Sequence, residues 1–222
     1  MDEKKHVYYN TKGEEIPSVT KIINIIKKKN ITSWANGLGM KRISLKPYMT
    51  EKALIGTLVH DKIEHYFTKE DSRPYLDKSI DKEVTDRFNH FLLWVEASGI
   101  KPIWQEKEFH NEKYGGKIDM LGTIGNGLVL IDFKTSKKPS SSHFLQLGGY
   151  LNLIQYCEPE TYEKITHCLI VCLTDKGVEQ GLKEIEKMKK YQKAFDSCYE
   201  LFNAWNAVLK MEWGEDLNDL GY

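Results

Sequence analysis

The segment LVLIDFKTSKKPSSSHFLQLGGY, residues 128–150, sets Asp132 and Lys134 two positions apart at the end of four consecutive apolar residues. Such a run reads as a buried strand, and alternate side chains of a strand share a face. Asp132 and Lys134 then point the same way where the strand leaves the core, and Phe133 turns into the opposite layer. A carboxylate there can hold a divalent cation. An ammonium beside it can position or deprotonate a water, or neutralise a developing negative charge. Taken alone the pair reads equally well as a surface ion pair of little worth, so its companions decide. Asp119, in GGKIDM, lies on the preceding predicted strand. The Gly-Asn-Gly turn at 125–127 makes the two strands antiparallel neighbours, so Asp119 and Asp132 are expected to meet near one sheet edge. Glu106 and Glu108 on the strand before are further candidates. Hard oxygen ligands of this kind suit magnesium or manganese, ions that activate water and stabilise the charged transition state of phosphodiester hydrolysis. His60, in GTLVH with Glu64 one turn later, can add a neutral imidazole ligand. Gln146 and Tyr150 are four apart on a predicted helix and share a face, from which they can orient a phosphate or contact nucleic acid.

The elements that position these residues follow from periodicity and punctuation. VYYN and TKGEE suggest a short hairpin. Ser18 reads as the N-cap of a helix over VTKIINIIKKK, and ITSWANGLG as a short helix ended by glycine. Residues 50–68 form a longer helix with Leu54, Leu58, Ile63, Tyr66 and Phe67 near helical spacing, broken by DSRPYLD. A second long helix covers 78–98, with Val84, Phe88, Phe91, Leu92 and Val95 on one stripe. The texture then changes: strands over 102–110, 117–124 and 128–134, with YGG marking a turn after the first. A serine-capped helix follows over SSSHFLQLGGYLNLIQY, then a buried strand over 165–174. A lysine-bearing amphipathic helix spans 181–210, and the polar tail EWGEDLNDLGY is expected to fray. The order is helices, then β-β-β-α-β-α, which predicts an α/β domain: a mixed central sheet flanked by helices, with an N-terminal helical lobe.

The 222 residues suffice for one domain with a lobe. We read residues 1–222 as a single domain, with 1–98 the mainly helical lobe and 99–210 the sheet core and C-terminal helix. With 32 basic and 32 acidic side chains the net charge is zero, which argues against a wholly basic nucleic-acid coat protein. It leaves room for an enzyme that gathers lysines along a groove and carboxylates at a metal. No apolar run is long enough to cross a bilayer, and MDEKKHVYYN lacks an apolar signal core, so no membrane partner and a cytoplasmic location are expected. The four cysteines fit buried thiols in a reducing compartment better than a disulfide framework, with Cys168 and Cys172 in the core.

Four motifs in order, GTLVH, GKID, DFK and QLGGY, make the chain resemble the PD-(D/E)XK nuclease superfamily, specifically its RecB-like exonuclease branch. IPSVTKII followed by SWANGLG resembles phage exonucleases of that branch, and DFKTSKKP resembles the mitochondrial genome maintenance exonucleases. Ordered co-occurrence is far more specific than any single motif. The resemblance implies a restriction-endonuclease-like core. It implies that His60, Asp119 and Asp132 bind magnesium or manganese, that the Phe133 carbonyl joins them, and that Lys134 acts on the attacking water. Gln146 and Tyr150 would shape the site and the DNA contact. Glu106 matches the family's E-x-x-apolar pattern, since Phe109 follows. No cysteine precedes Cys157, so the iron–sulfur cluster of some members is not expected.

The remaining residues divide between bland and functional readings. Lys137 and Lys138 directly follow the active strand and are read as phosphate contacts, with Thr135 and Ser136 on the same loop. KKKN at 27–30 is evenly balanced between a solvated face and phosphate contact. Trp34 is read as an anchor of the N-terminal helices ahead of a base-stacking platform, and is carried as a candidate DNA contact. His65, His90, His110, His143 and His167 take the bland reading. The implied activity is a metal-dependent DNA exonuclease acting on single-stranded ends in recombination, replication or repair, in a bacterial or phage-infected cell. A helicase, single-strand-binding or recombination partner is possible in that setting. The alternatives are a structure-selective or nicking endonuclease, an inactive nucleic-acid-binding module and, weakest, a small-molecule phosphoesterase.

Overall fold

The computed structural model describes residues 7–26, 31–68 and 78–214. KKKN, the DSRPYLD break and the end of the polar tail lie outside the described residues. In chain order the elements are β1 (Tyr8–Tyr9), β2 (Glu15–Ile16), α1 (Val19–Ile23), α2 (Ile31–Met40), α3 (Leu45–Thr68), α4 (Lys78–Ser98), β3 (Lys101–His110), β4 (Gly115–Ile124), β5 (Gly127–Lys134), α5 (Ser141–Cys157), α6 (Pro159–Tyr162), β6 (Ile165–Thr174), β7 (Gly177–Glu184) and α7 (Ile185–Trp213). A five-stranded sheet runs β3-β4-β5-β6-β7 and is antiparallel except for the central β5–β6 pair. This mixed sheet with helices on both faces is the expected α/β class.

The central strands are buried on both faces and so are apolar almost throughout, as parallel neighbours between two helical layers must be. Val129, Ile131 and Phe133 of β5, with Leu169, Val171 and Leu173 of β6, meet Ile55, Val59, Val84 and Phe91 of α3 and α4. Leu130, Cys168, Ile170 and Cys172 face the other way, onto Leu147, Leu151 and Ile154 of α5 and Phe195 of α7. α5 and α7 approach closely at Gly148, where an added Cβ would lie 2.7 Å from the Tyr191 backbone. Among the described residues no helix is long and apolar enough to cross a membrane.

Several expectations about elements need correction. The 181–210 helix begins only at Ile185, because 177–184 form the edge strand β7, turned back on β6 at Asp175–Lys176. YGG is not a turn. Asn111 Oδ1 accepts the Lys113 and Tyr114 N–H groups to make the turn, and Gly115 and Gly116 already belong to β4. α2 is not stopped by glycine: it runs through Gly37 and Gly39 and closes on Arg42, at φ 57°, with Ile43 N–H bonding Leu38 O. α1 is only five residues long, capped by Ser18 as expected. α3 starts at Leu45, five residues early, and Tyr66 of its predicted stripe is exposed. The β1–β2 hairpin and α1 pack on the sheet core instead of on the other N-terminal helices. Gly115 N–H bonds Pro17 O, and Val19 and Ile22 join the α5–α7 cluster.

Candidate active site

The pairing register lines up three carboxylates. Gln105 faces Met120 and Lys107 faces Ile118, which brackets Glu106 opposite Asp119. Met120 faces Ile131 at the last pair of the β4–β5 ladder, so Asp119 and Asp132 come next, where the two strands part. Glu106, Asp119 and Asp132 therefore occupy one row across three adjacent strands. Asp119 and Asp132 stand at the parting of β4 and β5, inside the sheet, and Glu106 stands beside them on the edge strand β3. Local backbone distortion turns them there. Ile118 and Leu121 of β4 both pack on the α5 side while Met120 packs on the α3 side, so face alternation slips at Asp119. Opposite it, Glu106 has a left-handed φ of 46°, an uncommon conformation for a residue with a side chain. Asp119 fills the gap: its Oδ2 accepts the Phe133 N–H at 2.7 Å, standing in for a ladder hydrogen bond.

Asp132 and Lys134 share a face, with Lys134 Nζ donating to Asp132 Oδ1 at 2.7 Å. Phe133 points the other way, edge-on to Phe91 and Trp94. Asp132 is 1% exposed, and its Oδ2 is buried without a hydrogen-bond partner. Burial pushes its carboxyl up to about 6 in spite of the lysine. Burial raises Asp119 as well, and burial with the charge of Asp119 raises Glu106. Burial opposes the charge on Lys134, yet Asp132 and Asp119 outweigh it and hold the ammonium above its ordinary pKa. Lys134 is thus placed as a cation beside the carboxylates, where it can orient water or steady negative charge.

His60 comes from the opposite layer, on α3. Its Nε2 lies 3.1 Å from Phe133 O, which can only accept, so Nε2 carries the proton. Burial, then the Lys134 charge, lowers its pKa and keeps the imidazole neutral. Its bare Nδ1 then faces Asp119 Oδ2 at 3.7 Å, two acceptors with no proton between them. One ligand atom each from His60, Glu106 and Asp119 lie within 4.8 Å of one another. Facing acceptors here, and an orphaned carboxylate oxygen on Asp132 beside them, fit a hard divalent cation. Two details differ from the expected ligand set. Glu106 belongs to the tight group where Asp132 does not, and the Phe133 carbonyl is already engaged by His60. Glu108 is exposed and outside the group.

Gln146 and Tyr150 meet as their spacing predicted: the Gln146 amide donates to the Tyr150 hydroxyl at 2.7 Å and to Thr20 Oγ1 at 3.4 Å. Burial, then the charges of Asp132 and Asp119, raises the Tyr150 phenol well above its ordinary pKa. Room for its ring comes from Gly116, where a Cβ would lie 2.7 Å from Tyr150 Cε1. Ser136, Lys137 and Lys138 are exposed on the loop after β5, and Thr135 is half-buried. Trp34 is not a core anchor. It is 40% exposed on α2, its ring 6.0 Å from that of Tyr48. Residue-by-residue reading missed Lys117, whose Nζ contacts Glu106 Oε2, and Arg87, buried behind Thr135. Lys117 stood in plain view inside GKID. Arg87 carried no signal beyond a charge on the apolar side of a predicted helix.

No protein-family model matches the chain, and no curated protein does. Among solved structures it is similar to an alkaline exonuclease from Laribacter hongkongensis, at 11% identity and TM-score 0.37, over 87% of this chain and 94% of that one. The same enzyme in complex with dAMP is similar at 13% identity and TM-score 0.37, over 89% and 92%. A phage-related exonuclease from Haemophilus somnus 129PT is similar at 14% identity and TM-score 0.34, over 85% and 95%. At such scores the functional reading rests on the side chains of the site.

Proposed function

We propose that this chain, read as one domain over residues 1–222, is a metal-dependent DNA exonuclease of the PD-(D/E)XK type acting on single-stranded ends. The observation that carries the reading is the buried, partnerless Asp132 Oδ2 beside the Lys134 ammonium, in one row with Asp119 and Glu106. His60, Glu106, Asp119 and Asp132 would hold the magnesium or manganese ion. Such an ion, when bound, supplies a Lewis acid and an activated water. Lys134 orients that water or a phosphate oxygen with its positive charge. Phe133 turns its ring into the α3–α4 core, so Asp132 and Lys134 on the same strand face the other way. The Tyr150 hydroxyl accepts a hydrogen bond from the Gln146 amide and keeps its own O–H to donate to a substrate oxygen. Lys137 and Lys138, with Thr135 and Ser136, lie next along the chain to meet phosphates, and exposed Trp34 is available to stack on a base.

The test uses end-labelled linear and covalently closed single-stranded DNA, each with magnesium, manganese or EDTA, beside Lys134→Ala. Metal-dependent loss of the linear substrate alone, abolished in the variant, is the expected result. Cutting of the circle replaces the exonuclease reading with an endonuclease. Binding of DNA without cutting replaces it with a binding module.

A further inference from the structure

The chemistry above uses nothing from α4, yet α4 carries a buried arginine aimed at the end of the active strand. Arg87 is 7% exposed. Its Nη1 donates to Thr135 O at 3.1 Å and also to Leu173 O. Its Nη2 and Nε donate to Glu83 Oε1 at 2.7 and 3.3 Å. Glu83 in turn accepts from Lys52 of α3 at 2.9 Å. The β5–β6 ladder makes its last pair at Lys134 and Cys172. The two carbonyls that Arg87 holds belong to the next residue of each strand. One nitrogen therefore bridges β5 and β6 immediately past the point where their own hydrogen bonds stop.

We infer that Arg87 is a positioning residue for Lys134: it staples the Thr135 and Leu173 carbonyls and so sets the backbone from which the Lys134 side chain reaches Asp132. The inference rests on the proposed reading of Lys134 as a working group. A cation is not required there to hold α4 down, because Val84, Phe91 and Trp94 already bury that helix against the sheet. Buried ion pairs are poor sources of net stability against apolar side chains of similar size. What the guanidinium adds is direction: its planar fork bonds a carboxylate on one side and two carbonyls on the other at once. A lysine ammonium at the same position keeps the charge but cannot span both. Its effect on catalysis passes through the main chain, since Arg87 touches neither Lys134 Nζ nor the carboxylate row in the contacts above.

The experiment compares full-length wild type, Arg87→Lys and Glu83→Gln by two readouts. Amide hydrogen exchange, in EDTA and without DNA, reports the staple directly. Steady-state hydrolysis of labelled single-stranded DNA reports its consequence. Arg87→Lys is expected to speed exchange at 133–137 and 173–175 and leave other strands unchanged. It is expected to lower kcat at least tenfold with KM little changed. Glu83→Gln gives the same pattern at smaller amplitude and carries the test where Arg87→Lys does not fold. Exchange that rises evenly over the whole chain, or not at all, overturns the inference. So does kcat equal to wild type, or a loss confined to KM. If the wild type itself cuts no DNA, the nuclease reading falls, and the exchange pattern still judges the staple.

Discussion

Asp132 sits where burial favours a proton and a cation favours its loss. Burial, helped by the charge of Asp119, outweighs the attraction of Lys134 and pushes the Asp132 carboxyl up to about 6. A divalent ion must displace that proton to engage Oδ2. Below about pH 6 the proton competes, and above it the carboxylate is already free. Magnesium affinity measured by calorimetry is therefore expected to fall as pH drops from 7 to 5, with protonation of the carboxylates as the competing reaction and proton release on binding. Flat affinity across that range would place the ion away from Asp132. Burial, then the Lys134 charge, makes His60 harder to protonate than an ordinary imidazole, so it competes with the ion less than a free histidine would. The glycines of the motifs separate at the same scale. A Cβ at Gly116 would meet the Tyr150 ring at 2.7 Å, whereas one at Gly56 would meet Thr135 Oγ1 at an ordinary 3.5 Å. Gly116→Ala is expected to displace Tyr150 and cut the hydrolysis rate at least tenfold. Gly56→Ala is expected to fold and cut DNA within about twofold of wild type, which kinetics on purified variants would check.

The site's elements owe their placement to two close fits. β4 must kink at Asp119 and pair with an equally distorted Glu106, and α5 must lie low enough for Tyr150 to reach the row. Gly148 permits the second fit, its Cα resting on the Tyr191 backbone of α7. Gly148→Ala is expected to lift α5 and destabilise the fold by about 1–3 kcal/mol, the range for overpacking a tight interior, as read by denaturant melts. Asp132 with Lys134, and Gln146 with Tyr150, were legible in the sequence because strand alternation and helix spacing bring them together, and Asp119 because the turn at 125–127 sets β4 beside β5. β7 was not. GVEQGLKE is an edge strand with most residues partly or fully exposed, so it lacks an apolar alternation and reads as the start of the helix that follows. The glycines at 37, 39, 115 and 116 misled for a related reason. Glycine marks turns and helix ends by default, but here it lies within α2, or beside rings that need its missing side chain, a tertiary fact. Glu106's place in the ligand group was legible only as one of two glutamates. The distortion that selects it over Glu108 comes from pairing with β4.

Net charge is zero across the molecule, yet three carboxylates are crowded into one buried row, and the whole fold bears the cost of that local excess. The sign of the pH dependence follows from the raised pKa values. A carboxyl whose folded pKa lies above its ordinary value favours the protonated folded state. Its contribution to stability is full below the ordinary carboxylate range and is lost as pH rises through about 6 for Asp132. In EDTA the row should therefore weaken the protein between about pH 4 and pH 6, and leave it weakened above. A divalent ion reverses this by binding the ionised folded state. At a hundred times its dissociation constant a ligand adds about 2.7 kcal/mol, and a chain of this size gains roughly 2–4 °C in melting temperature per kcal/mol. Magnesium is thus expected to raise the melting temperature by about 5–10 °C over EDTA at pH 7.5, and by much less at pH 5. In Asp132→Asn the magnesium increment should shrink at pH 7.5, because the variant has lost the oxygen that the ion would satisfy. Scanning calorimetry of both proteins at the two pH values checks this. An increment equal in the two proteins, or independent of pH, would mean that the row is not where the ion binds.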